Sequence, residues 1–307
     1  MPPPISPAAA FSVPLLALLW GLNWPAVRVA LTWWSPWILR AVSLGTGALL
    51  LFVWARYRRE SLLVRPGQRV RLVVSALLTI AGFNLCTAFA QTAGSTSRAA
   101  IVTFTMPVWA VLFAWLFIGE KPDRWRAVAV LMGLLGLGLL TAPLLASGAS
   151  ARGPLFALGA GVSWAAGTVF VKRFPIDAQP IPAAAWQLAV GAVLSTLGWI
   201  VFGTPVTASG AYPASWFGIA LAFHVILGTA LAYVIWFDVV ARLPAGVAAM
   251  GTLLVPVVGV AGAMALLGER PDYSDLGGFG LIIVAASLAM LAPAAKRVQQ
   301  EVASGNR

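Results

Sequence analysis

Charge is what this 307-residue sequence has least of. Asp, Glu, Lys and Arg make up 9% of it, where a soluble domain carries roughly 25%. That is too little polar surface to cover a water-soluble globule, so the chain must use lipid as solvent, in line with a mean hydropathy of +0.90. Cysteine and histidine are reduced to one each, Cys86 and His224. A single cysteine permits no intrachain disulfide, and one His with one Cys cannot build a Cys/His metal site, so neither a metal nor a cofactor is expected. The nine carboxylates (Glu60, Glu120, Asp123, Asp177, Asp238, Glu269, Asp272, Asp275 and Glu301) all fall in loops, tails or span ends. An intramembrane enzyme would need a nucleophile–base or metal constellation, and His224 stands alone. The chain is therefore not expected to be an enzyme.

The net charge of +11 raises the question of nucleic acid. The cations, however, cluster in short segments between apolar runs: Arg56, Arg58, Arg59, Arg65, Arg69 and Arg71 in one, Lys121, Arg124 and Arg126 in the next. That is the pattern of membrane loops and not a basic groove interleaved with stacking aromatics, so no nucleic-acid partner is expected. No Lys or Arg precedes the first apolar run of the N-terminus MPPPISPAAAF. The run lacks the basic n-region of a secretory signal and reads as a retained span.

With about 20 apolar residues needed per span, charges and Pro/Gly clusters divide the chain into ten: 11–31, 35–54, 72–91, 99–118, 127–144, 154–172, 182–202, 215–237, 245–267 and 276–293. If both termini are cytoplasmic, fifteen Lys/Arg lie in inward segments and three (Arg98, Arg152, Arg270) in outward ones. The positive-inside rule selects that orientation.

The halves repeat. Shifted by 149, residues 99–123 match 248–272 at 11 of 25 positions, including Thr103/Thr252, Pro107/Pro256 and the run GEKPD against GERPD. A shift of 140 brings Gly21/Gly161, Asn23/Ser163 and Trp24/Trp164 together. Residues 1–150 and 151–307 thus read as two five-helix repeats, the second with a cytoplasmic tail. Five is odd, so the second copy enters the bilayer from the other side. The fold expected is an all-α membrane protein of two inverted repeats, an arrangement that marks secondary transporters with a midplane site between the halves.

The doubled pattern resembles the EamA type of the drug/metabolite transporter superfamily. It consists of a mid-helix Pro, a Gly-Glu twelve to thirteen residues on, and a Gly-rich helix. Here it reads Pro107, Gly119-Glu120 and GLLGLG at 133–138, then Pro256, Gly268-Glu269 and GGFG at 277–280. LLWGLNW at 18–24 and Arg40 early in helix 2 are similar to that family too. The resemblance spans the chain and implies a ten-helix exporter of the bacterial inner membrane that works by alternating access. Its size and Trp-rich first helix look most like the amino-acid exporters, the aromatic branch included. A small-molecule substrate and the bilayer are the partners implied, with no obligate protein partner evident. The absence of an intramembrane carboxylate or His relay favours facilitated or uncoupled flux. Alternative cargoes are nucleotide-sugars, phosphorylated compounds or drug-like molecules; phosphate would call for several deep cations, and only Arg28 and Arg40 come near.

Candidate site residues follow from polarity inside spans. His224, mid-helix 8, either lines the cavity or is a neutral histidine tied to a neighbouring backbone; on a 3.6-residue wheel it faces away from Thr229 and Tyr233. Pro107 and Pro256 free the carbonyls of Thr103 and Thr252 and so mark either hinges on the substrate path or static kinks. Asn84, Thr87 and Gln91 form a stripe that faces a cavity or a neighbouring helix. Trp20, Asn23, Trp24 and Val27 in helix 1, with Ser163, Trp164 and Gly167 in helix 6, form an aromatic box or packing. Arg40 snorkels to the surface or attracts a substrate carboxylate; Trp186 and Gln187 are the weaker pair in helix 7. Gly119 and Gly268 suit helix C-caps, Asp123 and Asp272 N-caps, and Glu120 and Glu269 belong to that turn architecture or to a gate. Gly133, Gly136 and Gly138 suit close packing.

Overall fold

A computed structural model describes residues 7–146, 150–203, 211–236 and 245–291, with side chains over 11–143, 150–203, 211–236 and 253–290. Ten helices follow in chain order: α1 Pro7–Leu31, α2 Pro36–Tyr57, α3 Pro66–Ala93, α4 Thr96–Ile118, α5 Arg124–Ala146, α6 Arg152–Arg173, α7 Pro180–Phe202, α8 Ala214–Trp236, α9 Ala245–Leu267 and α10 Tyr273–Leu291. Nine contain a window long and apolar enough to cross a membrane; the part of α9 described with side chains, Leu253–Leu267, is a shorter apolar helix. Exposed Leu49, Val53, Leu131, Val193, Val201 and Ile219 give the bundle the apolar coat that lipid requires.

The helices start and stop where the chain chemistry directs. Pro36, Pro66 and Pro180 open α2, α3 and α7, where the missing N–H costs nothing. α3 and α7 therefore begin earlier than their apolar runs. Ser35 and Ser95 cap α2 and α4 through their hydroxyls. Gly119 (φ 72°) and Gly268 (φ 69°) close α4 and α9 in the left-handed conformation expected of them. Asp123 accepts from the backbone N–H groups of Trp125 and Arg126, and Asp272 from that of Asp275.

The helices pack in symmetry-related pairs. α2 lies against α7 and α5 against α10, while the α1–α9 and α1–α8 seams are repeated as α6–α4 and α6–α3. At the α2–α7 seam, a Cβ on Gly47 would stand 3.3 Å from Leu188 and one on Gly191 3.0 Å from Leu44. Those reciprocal contacts put Gly47 opposite Gly191 and Leu44 opposite Leu188 in the repeat, which makes Ala184 the counterpart of Arg40. Gly136 meets Ile282 and Gly278 at the α5–α10 crossing and Gly133 meets Val108, as close packing demands, whereas Gly138 has nothing within 4 Å. Its expected packing role is corrected accordingly: it faces away from the seam.

Three helices depart from α geometry. A π-turn occupies Ala76–Gly82 of α3 and another Phe223–Leu231 of α8, at corresponding places. α4 breaks between Thr103 and Met106, just before Pro107, whereas α9 continues through Pro256. Successive helices run antiparallel, so one end of the bundle gathers Arg58, Arg65, Arg124, Lys172 and Arg173. We call it the basic end and its opposite the far end.

A buried arginine in an aromatic cavity

Between the halves lies a cavity of about 370 Å³, walled mainly by α1, α3, α4, α6 and α8, with single contributions from α9 and α10 and with Arg40 and Leu44 from α2. It runs from Arg40 and Gln91, toward the far end, to Trp236 and Met290, near the helix termini of the basic end. The far end is tied together by side chains. Glu269 accepts from the Thr96 N–H (2.6 Å), the Ser97 N–H (2.8 Å) and the Ser97 hydroxyl (2.6 Å), so the carboxylate that follows α9 caps α4. Arg98 pairs there with Asp275 at 2.6 Å and Asp272 at 3.8 Å. Asp272, exposed, has its carboxyl held below the usual 3.8, first by the Asp275 backbone N–H and then by the Ser274 hydroxyl. At the basic end the exposed pairs are Lys172–Glu120 and Arg65–Asp177, each 2.6 Å.

Arg40 is 3% exposed. It does not snorkel: one turn into α2, its stem points inward and three other groups take its guanidinium. Nε–H donates to the Asn84 carbonyl (2.8 Å), Nη1–H to His224 Nε2 (3.2 Å) and Nη2–H to the Thr87 hydroxyl (3.1 Å). None of the ion pairs among the described residues includes Arg40. Because an arginine can only donate, His224 Nε2 must be an acceptor, so the ring proton sits on Nδ1, which donates to Asn23 Oδ1 at 2.7 Å. His224 is thus neutral in one defined tautomer, and both of its nitrogens are occupied. Arg28 lies behind, its guanidinium donating to the Gln91 backbone carbonyl.

The rest of the wall is aromatic. Trp20 meets Trp236 at 5.5 Å and Tyr233 at 6.3 Å between ring centroids, and Phe83 meets Trp164 at 4.8 Å across from them. Such faces accept apolar groups with little directional demand.

Of the residues expected from sequence, Trp20, Asn23, Trp24, Asn84, Thr87, Trp164, His224, Pro107 and Arg40 line this cavity, as do Val27 and Gln91. Thr103 is buried outside it, its hydroxyl donating to the Ala157 carbonyl (3.4 Å). Ser163 turns to the Leu78 carbonyl (2.7 Å), and Pro256 is buried away from the cavity. The side chain of Thr252 lies outside the described residues. Trp186 and Gln187 instead tie α7 to Leu62 and Ser75. His224 does not face away from Thr229 and Tyr233 as a 3.6-residue wheel predicts. All three line the cavity, because the π-turn over Phe223–Leu231 adds a residue to the turn and rotates Thr229 and Tyr233 round to the face of His224. Phe83, Met106 and Trp236 also line it, and the only signal for them was aromatic or soft side chains among smaller ones. Among the described residues, no group of three His, Cys, Asp or Glu side chains could hold a metal ion.

The chain is similar to "uncharacterized transporter YvbV" of Bacillus subtilis, at 28% identity over 91% of this chain and 90% of the relative. It is likewise similar to a "probable amino-acid metabolite efflux pump" of Salmonella typhimurium, at 28% over 88% and 90%. A third relative is "uncharacterized inner membrane transporter YedA" of Escherichia coli K12, at 26% over 90% and 88%. One crystal structure superposes with a TM-score of 0.63 at 22% identity, covering 92% of this chain and 96% of that one, which establishes the shared fold. The model of the EamA-like transporter family matches residues 8–142 and again 151–291, one match per set of five helices. With apolar spans, paired seams and a cavity between the halves all in agreement with that double match, the chain belongs to the EamA-like transporter family and is a membrane transporter.

Proposed function

We propose that this transporter exports amino acids, or small amphipathic carboxylates like them, across the bacterial inner membrane by alternating access. The observation that carries the reading is Arg40: a buried cation without a carboxylate partner among the described residues, set into a cavity whose other wall is aromatic. A carboxylate answers the first feature and a hydrophobic side chain the second. The name of the Salmonella relative points the same way. Phosphorylated cargo would call for more cations than this lining offers.

Residues 1–150 and 151–307 act as the two inverted repeats, with both termini in the cytoplasm, so the basic end faces inward and the state described is open to the cytoplasm. Pro107 and Pro256 serve as the hinges, and the lock of Glu269 on α4 opens when the cavity turns outward. Flux is facilitated. With Arg40 donating to one nitrogen of His224 and Asn23 accepting from the other, neither nitrogen is free to carry a transported proton, and among the described residues Tyr233 is the other titratable group facing the pair.

The test is purified protein in liposomes with a panel of labelled amino acids, with and without an imposed proton gradient. Flux of one or more that is indifferent to a pH step is expected. Failure to move any would end the amino-acid reading, and acceleration by the step would end the uncoupled one. Cysteines introduced at 121 and 270 should label from opposite sides; labelling from the same side would refute the inverted arrangement.

A further inference from the structure

The charge of the cavity says more about its ligand than its shape does. Among the described residues that line it, Arg40 is the only ionised one, since the tautomer imposed on His224 leaves that ring neutral. The described carboxylates sit at helix termini and in loops. Asp238, two residues beyond Trp236, lies outside the described residues. Three of the five N–H groups of Arg40 are taken by Asn84, His224 and Thr87, which leaves two for a ligand. Beside this arginine, on the same face of α3 as Thr87, Gln91 is 1% exposed and its Oε1 accepts no hydrogen bond among the described residues.

A zwitterion answers only half of this. Its carboxylate would take Arg40, but its ammonium, carried on the adjacent carbon, would then be held close to the same guanidinium and to Arg28 behind Gln91, with no carboxylate among the described residues to pair with. A buried like-charge contact without a counter-ion disfavours the charged form. A monoanion avoids that contact, and one with a neutral N–H next to its carboxylate also supplies the donor Gln91 lacks. Resting on the carboxylate-export reading above, we propose that the cavity selects net-anionic, apolar carboxylates over zwitterions. The best-matched class is N-acylated amino acids, with the carboxylate on Arg40, the amide N–H on Gln91 and the side chain against Trp20, Tyr233 and Trp236.

The experiment is equilibrium binding to the full-length protein in nanodiscs, read by calorimetry. The ligand series is phenylalanine, N-acetylphenylalanine, 3-phenylpropionate, N-acetylphenylalaninamide and phenylalaninamide. N-acetylphenylalanine should bind about 10-fold tighter than phenylalanine, the size of effect one unpaired buried polar group produces. The neutral and cationic amides should be the weakest. Arg40→Gln should erase the advantage of the acid over its neutral amide, Gln91→Leu should erase the advantage of N-acetylphenylalanine over 3-phenylpropionate, and Asp238→Asn should leave the order intact. The wild-type series decides even if a variant fails to fold. Phenylalanine binding as tightly as its N-acetyl form would overturn the proposal while leaving amino-acid export standing. The expected order, without amino-acid flux in liposomes, would sustain the proposal and remove amino acids from the cargo. Binding by no member of the series would overturn it as well.

Discussion

The two halves are built alike and furnished differently. Where α1 crosses α8, Gly228 packs on Asn23, and where α6 crosses α3, Gly82 packs on Ser163. These reciprocal contacts align Asn23 with Ser163, as the sequence repeat does, and make Leu78 the counterpart of His224. At the α6–α3 crossing Ser163 spends its hydroxyl on the Leu78 backbone carbonyl, a plain structural hydrogen bond. At the α1–α8 crossing Asn23 accepts from the His224 ring, which in turn accepts from Arg40, a residue whose counterpart is Ala184. The same joint that only holds helices together in the second pairing carries a polar relay to a buried cation in the first. Symmetry supplies the scaffold, and departure from it supplies the site.

The sharpest way to break that comparison is to make the halves equal. His224→Leu installs the counterpart residue and strands both the Nη1–H of Arg40 and Oδ1 of Asn23. Leaving buried polar groups unpaired costs about 1–3 kcal/mol each, so substrate flux should fall about 10- to 100-fold. His224→Gln, which can both accept and donate, should recover part of it. Since the chain has one histidine, nitrogen NMR of histidine-labelled protein reads the site alone. A protonated Nδ1 with a bare Nε2 is expected, and the opposite tautomer would disprove the relay.

Next in size is a matched pair of glycines. An added methyl at Gly228 would overlap the Asn23 amide, and one at Gly82 would overlap the Ser163 hydroxyl. Both Gly228→Ala and Gly82→Ala should lower thermal stability, by about 1–3 kcal/mol as overpacking does. Only Gly228→Ala should also reduce flux, because only there does the displaced side chain orient His224. Equal flux losses would mean that the relay has no special role.

How much of this could be read from residues follows the same division. Spans and the repeat were legible because hydropathy and the GEKPD/GERPD run are local properties of the chain. Most of the cavity was legible too, since polar groups inside a span must face something other than lipid. The helix phase was not. A π-turn shifts every later side chain round the helix, and nothing in FHVILGTAL announces one, so His224, Thr229 and Tyr233 were set on different faces. The fate of Arg40 was equally hidden, because its acceptors come from α3 and α8, far along the chain. Pro107 and Pro256 look equivalent in sequence, yet only α4 breaks. There Thr105 donates to the Val102 carbonyl (2.7 Å) and accepts from the Trp109 indole (3.0 Å), bonds that the aligned Leu254 of α9 cannot offer.

The two Gly-Glu motifs extend the contrast to the ends of the bundle. Glu269 holds three donors at the start of α4, whereas Glu120 makes an exposed pair with Lys172. Glu269→Gln should therefore cost about 1–2 kcal/mol in thermal unfolding, a charged cap lost. Glu120→Gln should cost about 0–1 kcal/mol, as surface pairs do. Comparable losses would place a lock at both ends at once and leave the state described with no opening to the basic end.

The smallest effect expected belongs to Asp272 at the far end, and its sign follows from linkage. The Asp275 backbone N–H and the Ser274 hydroxyl favour its ionised form in the folded protein, so its folded pKa lies below the usual 3.8. A carboxylate so depressed adds stability that is fully present above its unfolded pKa and is lost as pH falls through the folded one. Asp272→Asn should then melt below the wild type at pH 6, and the gap should narrow as pH falls below the unfolded value and close once it has passed the folded pKa, where the carboxylate is protonated in both states. Because the group is exposed, the gap should also shrink in high salt to the extent that it reflects the Arg98 charge 3.8 Å away, while the part from the two hydrogen bonds should persist. A gap that widened in acid would mean that Asp272 is not ionised in the cap, and that the start of α10 is held by Arg98 and Asp275 alone.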